Sequence, residues 1–288
     1  MPEERIVDEP DLTEAMRGAV RAAIVADPDP EALRTLPALE WVQSTWAGVE
    51  RLLDELPPSL PIVRMVDPNL ATVMSEAVLA VVLWIHRQGP TYACQQRAGL
   101  WRPLDYVPPG DRSVLVLGLG ALGEASARRL RANGFRTLGW NGTGRDVLEI
   151  SATFSGRQGL LEAVGQADFV VCLLPLTTET RGLLDATLLA AMPRGATLVN
   201  FARGPIVDEA ALLAALDRGQ IEHAVLDVFD VEPLPAGHPL WAHPRVTVWP
   251  HVSGPTDPGT ASAIVARNVH TWRASGALPP VVDRARGY

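Results

Sequence analysis

Residues 113–123 read SVLVLGLGALG, and EASARRLRANG follows to residue 134. Four of the first five residues are apolar, and the run suits a buried strand. The second stretch suits a helix that ends at Gly134. Between them Gly118 permits a sharp turn, Gly120 lets a ligand's pyrophosphate come close to the backbone, and Gly123 allows the helix to pack tightly on the strand. Ala121 and Leu122 complete the turn, and the new helix presents its free N–H groups to phosphate. A tight strand–helix turn that binds nothing is the alternative. The strand before, the helix after and a polar position about 20 residues on favour a dinucleotide.

Downstream, the apolar runs FRTLGWN, DFVVCLLP, ATLVNFA, AVLDVF and VTVWPH each end in a polar or proline turn. Helical patterns such as EAALLAALDRG lie between several of them. Strands alternating with helices favour a parallel sheet. Upstream, the same alternation reads AVRAAIVA (19–26), EALRTLPAL, WVQSTWAGV, ERLLDEL and IVRMV, with Pro57, Pro58 and Pro61 stopping the second helix. One long, largely apolar helix is expected from Met74 to about Arg97, followed by a Pro/Gly-rich linker at 103–113.

The 288 residues carry a net charge of −8, which argues against a nucleic-acid surface. The N-terminus is acidic and has no apolar signal core. The most apolar stretch, Ala77 to Ile85, is too short to cross a bilayer. Cys94 and Cys172 are the only cysteines and read as reduced, buried thiols of a cytoplasmic protein. No His, Cys or carboxylate grouping has metal-ligand spacing, so no metal is expected.

Two further places carry chemistry. After FRTLGW, where NAD sites usually hold an Asp or Glu for the ribose hydroxyls, the chain has Asn141-Gly142-Thr143-Gly144-Arg145. Asn141 and Thr143 can donate to a phosphate and Arg145 can neutralise it, which favours NADP over NAD. Arg145 as a solvated surface charge is the alternative. Further on, Arg203, Glu232 and His251 stand in separate short motifs, 29 and 19 residues apart. A fixed cation with a carboxylate-paired histidine suits reduction of a small acid whose carboxylate adjoins a carbonyl. The alkoxide formed by hydride arrival needs a proton, and histidine supplies one near neutrality. The other histidines (His86, His223, His238, His243, His270) read as surface or satisfied core residues.

These motifs together resemble the D-2-hydroxyacid dehydrogenase family, and within it the glyoxylate/hydroxypyruvate reductase A branch. GLGALG, LLPLTTETRGLL, NFARGPIVDEAALLAALDRGQI, AVLDVFDVEPLP, HPLWAHPRVTVWPHVSG and the terminal VDRARGY carry the resemblance over residues 118–288, and STWAGVERLL through QQRAGLWRPL extends it more weakly to about residue 44. The resemblance implies that Arg203 binds the substrate carboxylate and polarises its keto oxygen, that His251 is the general acid, and that Glu232 is its partner. It sets Asp227 against the nicotinamide amide and Leu174, Pro175 and Thr180 along the cofactor. Ser253 and Gly254 fall in the same cofactor-side motif as His251. The turn Trp46-Ala47-Gly48 would hold the substrate carboxylate through backbone N–H groups. Trp101 would be a pocket wall given by a partner subunit.

The implied fold is α/β, with two doubly wound parallel-sheet domains. A Rossmann cofactor domain (75–261) is inserted into a smaller flavodoxin-like substrate domain (1–74 and 262–288), with the site in the cleft between them. The family's first strand and helix have no counterpart here, so the substrate domain reads as shortened at its N-terminus, or the start as placed downstream of the true one. The family further implies a homodimer, with the helix 74–97 as interface element, and no nucleic-acid or membrane partner. The enzyme alternatives are a 3-phosphoglycerate or other 2-keto acid dehydrogenase. A formate dehydrogenase would carry glutamine at position 232. A dinucleotide-sensing corepressor-type protein is the non-enzymatic alternative.

Overall fold

A computed structural model describes residues 4–26, 28–147, 150–285 and 287. Arg286 and Tyr288 of the terminal motif lie outside the described residues. The chain forms two compact units, one of residues 70–255 and one of residues 1–69 with 256–288. The sequence had set these divisions at 74/75 and 261/262.

Among the described residues the larger unit holds seven parallel strands: β4 (Ser113–Leu117), β5 (Arg136–Trp140), β6 (Ala152–Phe154), β7 (Phe169–Cys172), β8 (Ala196–Asn200), β9 (Ile221–Leu226) and β10 (Val246–Val248). Their order across the sheet is β10-β9-β8-β7-β4-β5-β6, so the winding reverses between β4 and β7. This is the doubly wound arrangement that the glycine turn announced. Both faces are covered. Leu115 and Leu117 enter one core with Leu138, Val170, Leu198 and Leu226, while Val114 and Val116 enter the other with Val171, Val199 and Val225. The alternation is the period of two that a strand imposes. Burial on both faces explains why these strands read as continuous apolar runs. Each such side chain, removed from water, contributes roughly 1.5–3 kcal/mol before entropy is counted.

Strand register decides where the functional loops begin. Cα pairing aligns Phe154, Trp140, Leu117, Cys172, Asn200, Leu226 and Val248 in one row across the sheet. Every residue just beyond that row therefore emerges at the same carboxyl edge.

Among its described residues the smaller unit has three parallel strands in the order β1 (Ala22–Val25), β2 (Trp41–Ser44) and β3 (Ile62–Val63). The helix Pro258–Ser275 belongs to it. Asp257 caps this helix by accepting from Thr260 N, and Gly276 ends it in the left-handed conformation at φ +71°. Trp272 meets Trp41 edge-on, with ring centroids 5.6 Å apart. Inside the sheet, buried Gln43 accepts from Asn268 Nδ2 at 2.8 Å and donates to the Ser44 carbonyl, so its amide is satisfied at both ends.

Several expectations need correction. The helix expected at 74–97 is two helices, Pro68–His86 and Gly89–Arg97. Gln88 takes φ +62° between them, and Pro90 can neither donate to nor fit under the preceding turn. The first of these helices starts six residues early. At 19 residues it is long and apolar enough, by length and composition alone, to cross a membrane, whereas the sequence had confined the apolar stretch to 77–85. Its Met74, Val78, Val81 and Val82 instead pack against Val114, Val116 and Val199 in the core of the larger unit. Cys94 is exposed, because none of the Gly89–Arg97 helix is buried; Cys172 is buried, and burial raises its thiol pKa to about 12. His86 is buried among Phe135 and Tyr106, and its Nε2 finds no hydrogen-bond partner among the described residues. Strand β6 was missed altogether, being three half-buried residues with too little pattern to read.

Candidate active site

Beyond the aligned row of strand ends, β4 runs into Gly118, β5 into Asn141, β7 into Leu174, β8 into Arg203, β9 into Asp227 and Glu232, and β10 into His251. In open α/β sheets ligands bind outside the carboxyl ends of the strands, where the winding reverses. That point lies between β4 and β7. Gly118 adopts φ +96°, and a Cβ on it would fall 2.8 Å from the Leu173 carbonyl oxygen. The loops after β4 and β7 thus touch across the reversal point only because residue 118 lacks a side chain. Thr180 then draws the β7 loop together, donating to the Pro175 carbonyl at 2.6 Å and accepting from Thr177 N at 2.8 Å.

The three glycines of the turn differ in what demands them. A Cβ on Gly123 would meet the Gly118 carbonyl oxygen at 1.8 Å, so helix–strand packing excludes any other residue. A Cβ on Gly120 would meet nothing within 4 Å. The chain's own packing explains Gly118 and Gly123 but leaves Gly120 unexplained. Open space above a bare backbone is what an approaching pyrophosphate needs, so these residues fit a dinucleotide.

After β5, Asn141 is buried and folds its own loop around its side chain. Its Oδ1 accepts from Thr143 N, Thr143 Oγ1 and Arg145 N at 2.9–3.1 Å, and its Nδ2 donates to the Arg145 carbonyl at 2.8 Å. Asn141 and Thr143 therefore shape this loop from within, where the sequence had them as donors to a phosphate. Arg145 is the outward group: its guanidinium is over half exposed, donates to the Leu119 carbonyl at 2.7 Å and pairs with Glu124.

The polar residues of the remaining loops are brought together in two steps. Gly204 allows the first. A Cβ there would lie 2.1 Å from the Phe229 carbonyl carbon, so the turn bearing Arg203 packs directly on the 229–230 backbone. Asn200 shapes that turn, accepting from Ala202 N at 3.1 Å and donating to the Arg203 carbonyl at 3.0 Å. The guanidinium of Arg203 itself reaches the Ala202 carbonyl at 2.6 Å. The second step is the loop of His251. Asp227, fully buried, accepts from Val252 N at 2.7 Å, from Ser253 N at 3.0 Å and from Ser253 Oγ, and its carbonyl accepts from His251 N at 3.0 Å. Where the sequence had set this carboxylate against a nicotinamide amide, both its oxygens serve residues 252 and 253. Ser253 is buried with it, and Gly254 sits against the ends of Met74 and Leu70.

So held, His251 takes φ +54°, uncommon for a residue with a side chain and enriched at functional sites. Its Nδ1 lies 2.7 Å from Glu232 Oε2, while Glu232 Oε1 accepts from Phe229 N at 2.9 Å. A carboxylate only accepts, so the proton sits on Nδ1 and the ring is oriented with Nε2 as the nitrogen available to a ligand. The imidazole is half exposed and therefore reachable.

In the smaller unit, the turn after β2 places Trp46 partly in solvent. Trp46 N donates to Ser44 Oγ at 3.0 Å, and its carbonyl accepts from Met65 N; Ala47 and Gly48 follow in the same turn. Sequence reasoning missed Asn200 and Glu124. The first stood inside a quoted motif as an Asn at a strand end, a common turn-builder. The second had only Arg128 four residues on, an ordinary pair on a helix surface.

Residues 79–253 match the family model of the D-isomer specific 2-hydroxyacid dehydrogenase, NAD binding domain. The chain is 35% identical, over 92% of its length and 87% of the relative's, to glyoxylate/hydroxypyruvate reductase A of Yersinia enterocolitica. Among solved structures it is similar to a D-isomer specific 2-hydroxyacid dehydrogenase from Xanthobacter autotrophicus in complex with NADPH and MES, with TM-score 0.88 and 42% identity over 94% of this chain and 86% of that one. It is also similar to an NADPH-dependent glyoxylate/hydroxypyruvate reductase from Sinorhizobium meliloti in complex with NADP and sulfate, with TM-score 0.92 and 34% identity over 100% of this chain and 93% of that one.

Proposed function

The chain belongs to the D-isomer specific 2-hydroxyacid dehydrogenase family, and on that basis we propose that it reduces a small 2-oxo acid, glyoxylate or hydroxypyruvate first, to the D-2-hydroxy acid. The observation that carries this reading is the 2.7 Å pairing of His251 with Glu232 on the same sheet edge as Arg203 and the glycine turn. A bound nicotinamide dinucleotide, NADP in preference to NAD, supplies the hydride. Arg203 holds the substrate carboxylate and draws electron density onto the keto oxygen, a task its planar fork of donors suits. In the Trp46-Ala47-Gly48 turn, Trp46 N is taken by Ser44, and the Ala47 and Gly48 N–H groups are of the kind that binds a carboxylate without adding a titrating side chain. His251 delivers a proton from Nε2 to the oxygen as it becomes an alkoxide. Glu232 keeps the ring oriented.

Steady-state oxidation of NADPH and NADH with glyoxylate, hydroxypyruvate, pyruvate, phenylpyruvate and 2-ketoisocaproate tests the substrate and cofactor. Arg203→Ala is expected to remove nearly all activity. His251→Gln should lower kcat by about 10²–10⁴ and leave cofactor affinity in place. Wild-type rates in either variant discard the assignment, and no turnover with any 2-oxo acid favours a dinucleotide-sensing role.

A homodimer in the cytoplasm completes the proposal. Trp101 is 98% exposed, and Tyr92, Leu100 and Tyr106 near it in sequence are also exposed, more apolar surface than a monomer usually leaves in one stretch. Sedimentation of the wild type against Trp101→Ser checks it. Both cysteines are free thiols, which suits a reducing compartment.

A further inference from the structure

Dinucleotide binding leaves one feature of the glycine turn without a purpose. Glu124 stands in the first turn of the helix Ala121–Ala132, the end that faces phosphate, and puts a negative charge there. Its Oε1 pairs with Arg145 Nη2, the same nitrogen that donates to the Leu119 carbonyl at 2.7 Å inside the turn. Its Oε2 lies 3.6 Å from Arg128 Nη1, one helical turn on. The carboxylate is thus flanked by two guanidiniums and is less exposed than either.

We propose that Glu124 is a specificity-determining residue: it occupies Arg145 in the place of a cofactor phosphate and so restrains the preference for the 2′-phosphorylated dinucleotide. The inference rests on the reading of Arg145 as the 2′-phosphate contact. An arriving phosphate and the Glu124 carboxylate compete for one guanidinium, and like charges at contact distance repel. Arg128 offers the carboxylate a second partner, so the phosphate displaces Glu124 toward Arg128 rather than leaving it unpaired. A dinucleotide with a free 2′-hydroxyl meets no such competition. Binding of the phosphorylated form is therefore weakened more than that of the other form, which lacks the competing group.

The test uses two ligands that differ only in that phosphate, adenosine 2′,5′-bisphosphate and adenosine 5′-monophosphate. Their binding to the full chain is measured by calorimetry, with no turnover involved. Glu124→Gln keeps the side chain's shape and removes its charge. It is expected to tighten the bisphosphate about tenfold and to change the monophosphate less than twofold. Arg128→Gln, which takes away the alternative partner, should weaken the bisphosphate about twofold to threefold. Arg145→Met should abolish the discrimination between the two ligands. If Arg145→Met leaves discrimination intact, the reading of Arg145 fails. If Arg145→Met abolishes it but Glu124→Gln shifts both ligands equally, shifts neither, or weakens the bisphosphate, the role of Glu124 is overturned and that of Arg145 stands. Melting curves of each variant identify a loss of fold, which would move both ligands together.

Discussion

Two loops at the same sheet edge are built on one plan with different materials. The loop after β5 wraps around Asn141, whose side-chain Oδ1 collects donors from Thr143 and Arg145. The loop after β10 wraps around Asp227, whose carboxylate collects Val252 and Ser253. Each anchor is a buried residue just past a strand end, and each takes three hydrogen bonds from its loop. One anchor is neutral and the other is an acid. An unmade bond to a buried charge costs more than one to a buried amide, so the His251 loop is held harder than the Arg145 loop. The difference fits their tasks. Delivering a proton requires a ring fixed in place, whereas choosing between cofactors requires only a cation at the right distance.

The largest expected effect breaks the stronger anchor. Asp227→Asn replaces an all-acceptor group by one that turns donors toward donors. Stability should fall by about 3 kcal/mol in denaturant unfolding, and kcat by at least about 100-fold as His251 loses its setting. Retained kcat would show that the loop does not depend on its acid. Next, Asn141→Ala should cost about 1–2 kcal/mol and raise the Michaelis constant for the cofactor while sparing kcat. A fall in kcat equal to that of Asp227→Asn would erase the distinction between the loops. The smallest effect lies outside both. His223 is buried on β9, and burial, with His243 and Arg245 nearby, lowers its pKa from the ordinary 6.5 to about 4. The unfolded chain then binds a proton that the folded chain refuses, so this contribution to stability is whole above pH 6.5 and is lost as pH falls from there to about 4. Between pH 7.5 and pH 6 the loss should reach about 1 kcal/mol, and His223→Gln should flatten that slope. An unchanged slope would move the acid sensitivity elsewhere, with the two loops as the next suspects.

Much of this was legible in the residues, for stated reasons. SVLVLGLGALG announced strand, turn and helix because glycine spacing and apolar runs are local signals. Arg203, Glu232 and His251 were legible as a set, and the structure joins Glu232 to His251 directly. The break at Gln88-Gly89-Pro90 was written in the chain, but the apolar pattern on either side outweighed it. The pairing of Glu124 with Arg145 was invisible because the two are 21 residues apart and only packing brings them together. Asp227 and Asn141 stood out in the sequence as polar residues after apolar runs, yet what their side chains hold depends on loops whose shape no spacing rule conveys.

The ring that Asn141 closes makes residues 141–145 a self-contained cassette. Its side-chain bonds begin and end within five residues; outward, Asn141 N donates to the Phe154 carbonyl at 3.1 Å, and the Arg145 side chain reaches Leu119 and Glu124. Such a segment lends itself to transplantation. Grafted whole onto a relative that draws electrons from a different carrier, it would bring its own scaffolding along, and the recipient would need to alter a single position on the facing helix.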